Sequence, residues 1–147
     1  MRHSIRTLLL SFGLASALSV SLLVATPASA ATTLERAVVT KLNASRVAHG
    51  LRALYFAPDL TTRAHRHSAA MASKRRLYHS NLSLVCCYRA VAENVAVGYT
   101  VTGVHRALMN SSAHRANILD RRWTGVGVGV VKSGGRIWVT QIFRQPR

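Results

Sequence analysis

The chain has 147 residues and carries 20 Lys and Arg against four Asp and Glu, a formal charge of +16. Once an export leader is set aside, that length supports one hydrophobic core and excludes a second domain. So large a positive excess predicts long-range attraction to polyanions, but it also describes a plain soluble surface, and it says nothing about the fold.

The N-terminus reads as the leader. Arg2, His3 and Arg6 precede an uncharged apolar run from Leu8 to Ala25, and Pro27-Ala28-Ser29-Ala30 offers small residues at a peptidase site. Residues 1–30 are therefore expected to be a signal peptide cleaved after Ala30, and residues 31–147 the mature domain. The alternative is an uncleaved anchor, which Ser11, Gly13, Ser16, Ser19 and Ser21 dilute. With no twin arginine, the default is general secretory export, and no transmembrane helix is expected after cleavage. The expected location is secreted and extracellular, with cell-wall association as one form of it. Two basic residues fall in the leader, leaving 18 against Glu35, Asp59, Glu93 and Asp120. Outside a cell, the expected polyanionic partners are anionic envelope lipids or acidic wall polymers. Nucleic acid is not expected, because no recognised reader motif is present.

Thr32-Thr33-Leu34-Glu35 has capping-box spacing, and Leu34, Val38 and Leu42 fall on one face, predicting a helix that ends at Gly50. Leu51 to Leu54 reads as a short extended crossing. Pro58-Asp59 opens a second helix with Leu60, Ala64 and Met71 inward, fading near Arg76. Leu77 to Ala92 has no period and is expected to be a loop, followed by a short strand from Glu93 to Val97. Thr100 to Thr102 cap a third helix running to about Asn110, and Ser111-Ser112 cap a fourth through Leu119. Val126, Val128 and Val130 alternate with Gly125, Gly127 and Gly129, a strand with one face open to close approach by another backbone. Lys132 to Gly135 is the expected turn, and Ile137 to Phe143 returns as a strand. Helices followed by an antiparallel hairpin predict an α+β arrangement.

His79, Glu93 and His114 stand out as chemistry-bearing residues at the ends or edges of elements. Two imidazoles and a carboxylate suit either a zinc site with an open position or a polar proton-exchanging cleft. Their separation along the chain leaves a joint site unproven, since each histidine has a structural alternative as a loop hydrogen bonder. His65 and His67 point apart on the second helix, and His49 and His105 are expected on exposed helical faces. Trp123, Trp138 and Phe143 read as core. Adjacent Cys86 and Cys87 leave three options open: a strained mutual bond, a link to another molecule, or two small buried thiols.

Several segments carry a resemblance. They include Leu42-Asn43, Arg46, Tyr78-His79-Ser80, Glu93-Asn94-Val95-Ala96, His114-Arg115-Ala116-Asn117-Ile118-Leu119 and Trp138-Val139-Thr140-Gln141-Ile142-Phe143. In order and spacing they resemble the bacterial branch of the CAP superfamily: cysteine-rich secretory protein, antigen 5 and pathogenesis-related 1, or SCP-like, domains. The resemblance implies an α-β-α sandwich with a small antiparallel sheet between helices. It also implies a cleft of two histidines and two acids, for which His79, Glu93 and His114 match. The second acid is missing from Val104 to Ser111, Leu108 stands where many relatives have tryptophan, and Ala92 stands where glycine usually precedes Glu-Asn. Two functions follow as expectations. One is a non-catalytic extracellular module binding envelope lipid, wall polymer or a protein partner through the cleft and the basic surface. The other is a hydrolase with zinc on His79 and His114 and Glu93 as base. No motif in the sequence announces a Ser or Cys nucleophile beside a His and an acid, so acyl transfer is not expected.

Overall fold

The structure, a computed structural model, describes residues 32–85 and 87–147. The signal-peptide expectation and the state of Cys86 lie outside the described residues. The elements run α1 (Thr33–Ala48), β1 (Tyr55–Phe56), α2 (Pro58–Lys74), a 3-10 turn (Leu82–Leu84), β2 (Tyr88–Gly98), α3 (Val101–Asn110), α4 (Ser112–Leu119), β3 (Gly125–Ser133) and β4 (Arg136–Pro146).

The sheet order is β1-β3-β4-β2. Its three long strands are antiparallel, and β1 adds a two-residue parallel pairing on β3. Alternation along the strands sorts the side chains into two cores. Val126, Val128, Val130, Ile137, Val139 and Phe143 pack with Val38, Leu42, Val104, Leu108 and Ile118, on the side of α1, α3 and α4. Ile142 packs with Leu60 and Ala64, and Trp138 and Val95 with Met71 and Ala72, on the side of α2. The result is the expected α-β-α sandwich. Trp123, Trp138 and Phe143 are buried, as their core assignment requires.

The glycine face of β3 explains how closely α2 is seated. A Cβ placed on Gly127 would lie 2.3 Å from Leu60 Cβ and 2.5 Å from Thr61 N, and one on Gly129 would lie 2.1 Å from His65 N. The helix backbone therefore occupies the space that side chains would fill. Beyond the short β1, side chains cover the exposed edge of β3: Val128 N–H donates to Thr61 Oγ1 and Val130 N–H to Glu35 Oε1, both at 3.3 Å. Such cover satisfies donors that would otherwise template further strand pairing.

The capping box at α1 is present in both directions, with Glu35 N–H donating to Thr32 Oγ1 and Thr32 N–H to Glu35 Oε2. Pro58 occupies the first turn of α2, and the helix stops at Lys74, with Arg75 in a left-handed conformation.

Leu51–Leu54 crosses to the sheet unpaired: Asn43 takes both backbone groups of Leu54 with its side-chain amide, at 2.8 and 2.9 Å, and the ladder begins only at Tyr55. Other features differ from expectation. The loop expected through Ala92 ends early. Tyr88 to Ala92 join β2 because β4 supplies partners as far as Pro146, with an irregularity between Tyr88 and Ala90. The β3–β4 turn narrows to Gly134-Gly135, both at positive φ, because Ser133 still pairs with Arg136. His105 is half-buried rather than exposed. It meets Ser45 Oγ at 2.7 Å, and burial, followed by the charge of Lys41, holds its pKa below the usual imidazole value.

Candidate functional cleft

β2 is an edge strand, and along it Glu93 shares the α2 face with Val95 while Asn94 faces the α3/α4 layer with Ala96. Residues from both helical layers can therefore meet at this edge. His79 arrives on the loop after α2, and its Nδ1 lies 2.9 Å from Glu93 Oε1. Ser80 completes the cradle, its N–H donating to Glu93 Oε1 at 2.8 Å and its Oγ to Glu93 Oε2 at 2.5 Å. The carboxylate is 1 % exposed and the imidazole 61 % exposed. Glu93 is thus a buried anchor that holds an exposed ring by one nitrogen.

His114 comes from the first turn of α4. Ser111, expected as a side-chain cap, makes no capping bond and instead lies 2.8 Å from His114 Nδ1 through its Oγ. Asparagines fix α4 against β2. Asn94 Nδ2 donates to His114 O at 3.1 Å, and Asn117 Nδ2 donates to Asn94 Oδ1 at 2.9 Å and to Glu93 O at 3.3 Å. Gln141 on β4 accepts from Asn94 Nδ2 at 3.2 Å. The His114 pKa is lowered, first by burial and then by the charge of His79, so the two rings share one electrostatic neighbourhood.

Both histidines are held through Nδ1, which leaves their Nε2 atoms for a ligand. That is the arrangement by which outer carboxylates and hydroxyls orient metal-binding imidazoles. The donor set nevertheless stops short of a catalytic zinc site, which takes three protein ligands. Among the described residues no group of three or more His, Cys, Asp or Glu is placed to hold a metal ion, and both oxygens of Glu93 are already taken. The residues of the cleft therefore do not fit a catalytic zinc ion. The α3 helix lacks a carboxylate, as expected from Val104 to Ser111.

The other singled-out histidines have structural roles. His65 Nδ1 lies 2.9 Å from Glu35 Oε1, while His67 Nε2 lies 2.7 Å from Tyr78 O and its ring meets Tyr78 edge-on. His49 is exposed. Cys87 is exposed at φ 74°, which does not fit two buried thiols.

Sequence reasoning gave no role to Ser80, Ser111, Asn94 or Asn117 in positioning the histidines. The available signal was local for three of them: Ser80 adjoins His79, and Ser111 and Asn117 lie one helical turn either side of His114.

The fold is that of a CAP domain, and comparison with known proteins shows the family. The chain belongs to the cysteine-rich secretory protein (CAP) family, whose model matches residues 39–143. It is 35% identical over 120 residues to YkwD of Bacillus subtilis, covering 74% of this chain and 46% of that protein, so the chain spans about half the length of this relative. Two solved structures share the fold. One is an extracellular SCP-domain protein from Bacillus anthracis, with 24% identity, TM-score 0.68, and coverage of 76% of this chain and 40% of that one. The other is an outer surface protein from Borrelia burgdorferi, with 15% identity, TM-score 0.70, and coverage of 76% and 92%. Among the described residues no helix is long and apolar enough to cross a membrane.

Proposed function

We propose that this chain is a secreted, non-catalytic binding module that presents the His79–Glu93–His114 cleft and a basic surface to envelope material outside the cell. The observation that carries the reading is the state of Glu93. A carboxylate that accepts from His79, Ser80 N–H and Ser80 Oγ, with 1 % of its side chain exposed, is committed to positioning and is poorly placed to take a proton from water. The alternative, a zinc-dependent hydrolase with Glu93 as base, asks that same carboxylate to leave its cradle. Export is supported by the leader-like N-terminus and by the extracellular description of the Bacillus anthracis relative.

Charge points to the partner class. All four carboxylates already serve the chain's own bases, Glu35 with His65, Asp59 with Arg144, Glu93 with His79 and Asp120 with Arg122. The excess of exposed basic residues attracts external anions, of which lipid headgroups and wall polymers are the extracellular supply.

Residues 31–147 contain every described core residue and are the species to test. They are expected to co-sediment with vesicles containing phosphatidylglycerol at low salt, and to be released at about 1 M salt, where the reach of charge shrinks to ~3 Å. Vesicles of phosphatidylcholine alone should retain little. Absence of salt-dependent retention on the anionic vesicles would remove the basis of the proposal.

A further inference from the structure

We infer that the end of the β3–β4 hairpin and the end of α2 together form a phosphate-binding site, separate from the histidine cleft. Ser133 and Arg136 are paired across the hairpin, as are Val131 and Trp138 one step below, and all four belong to the α2 face of the sheet. Arg75, at the left-handed stop of α2, closes the third side. Between them lies a cavity of about 330 Å³ lined by Ala72, Arg75, Ser133, Gly134, Arg136 and Trp138.

Two features make this cavity suited to an oxyanion, and a third makes its occupancy readable. Arg75 and Arg136 are exposed, and neither guanidinium has an ion pair or side-chain hydrogen bond among the described residues. Trp138 forms part of the cavity wall at 6% exposure, with its indole Nε1–H shut off from solvent, so the ring serves as a close reporter of occupancy rather than as a donor. Lys74, Arg76 and Lys132 are exposed neighbours in sequence, while the chain's four carboxylates are engaged elsewhere, so this corner has no internal counter-ion. Two planar forks and a hydroxyl match the several acceptor oxygens of a phosphoryl group, which arginine binds bidentately. The class of ligand is thus a phosphate monoester or diester, whether free or carried on a lipid or wall polymer. This deepens the proposed function, on which it rests for the source of the anion.

The chain has two tryptophans, which supply a built-in control, because Trp123 Nε1 already donates to Asn117 O at 2.9 Å. Residues 31–147, labelled with nitrogen-15, are titrated with inorganic phosphate and separately with short-chain phosphatidylglycerol below its micelle concentration. The Trp138 indole resonance and the Gly134 amide are expected to move with saturation while the Trp123 indole stays in place. Arg75→Ala with Arg136→Ala should weaken binding by roughly tenfold or more. The charge-matched pair Arg52→Ala with Arg106→Ala, both exposed positions, should change it by less than about twofold.

Equal affinity for the two probes would assign the phosphoryl group itself as the ligand, and tighter binding of the lipid would assign a diester headgroup; both support the site. A Trp138 resonance that does not move, or equal losses in the two double variants, would overturn it. Vesicle retention that survives such a result leaves the broader reading of the module standing with its charge spread over the surface, so the two failures are distinguishable.

Discussion

Replacing Gly129 with alanine is expected to cost at least about 3 kcal/mol of folding stability, more than any single apolar truncation at the rim of the core. The reason lies in what the new methyl would meet. Its carbon would stand 2.1 Å from His65 N, 2.2 Å from Ala64 C and 2.3 Å from His65 Cα, all backbone atoms of a helix that cannot rotate aside. Gly125 provides the internal comparison, because its nearest neighbours are atoms of the exposed Tyr55 ring at 2.8 and 2.9 Å, side-chain rather than backbone atoms. Urea denaturation of the two variants should therefore rank Gly129→Ala well below Gly125→Ala. Equal stabilities would mean that α2 does not rest on the glycine face of β3.

The second large effect is expected at Arg46. This guanidinium is 1% exposed, yet it donates to three main-chain carbonyls: Nε to Arg52 O at 2.9 Å, and Nη1 to Ile118 O at 2.7 Å and to Asp120 O at 2.9 Å. It thereby joins α1 to the loop before β1 and to the C-terminal end of α4, whose final carbonyls otherwise lack partners. Burial lowers its pKa and the nearby Asp120 charge raises it, with burial prevailing. Arg46→Met keeps much of the volume and removes every donor, and a loss of about 3 kcal/mol is expected after the saving in desolvation is counted. Because α4 carries His114, amide exchange along Ser112–Leu119 should accelerate in the same variant. A loss below about 1 kcal/mol, with α4 exchange unchanged, would show that the carbonyls find other partners.

These two residues also mark where the sequence could be read and where it could not. The Val-Gly alternation of β3 is a local pattern, and from it follow both the strand and the close approach of a second backbone. The same is true of the capping box at Thr32 and Glu35, which involves residues three apart. Arg46 is different, because its partners lie 6, 72 and 74 residues away. Nothing within its helix separates a buried clamp from an ordinary surface arginine.

The first residues of β2 were hidden for a related reason. Tyr88 to Ala92 have no alternation of their own and become a strand because β4 extends far enough to pair with them. In the cleft, the residue types of His79, Glu93 and His114 were visible, and their family spacing gave them a common destination. The division of labour among them was not, since it depends on a burial contrast of 1 % against 61 % and on which imidazole nitrogen is held. Glu93 looked like a base from its chemistry, and its surroundings make it an anchor.

That anchoring is open to direct measurement by nitrogen-15 NMR of the histidine rings, at a pH where His79 is neutral. The prediction is that His79 carries its proton on Nδ1, donated to Glu93, leaving a bare Nε2 toward the cleft, and that Glu93→Ala removes this preference. A His79 ring with Nδ1 bare and Nε2 protonated, unaffected by Glu93→Ala, would contradict it and return Glu93 to the groups free to act as a base.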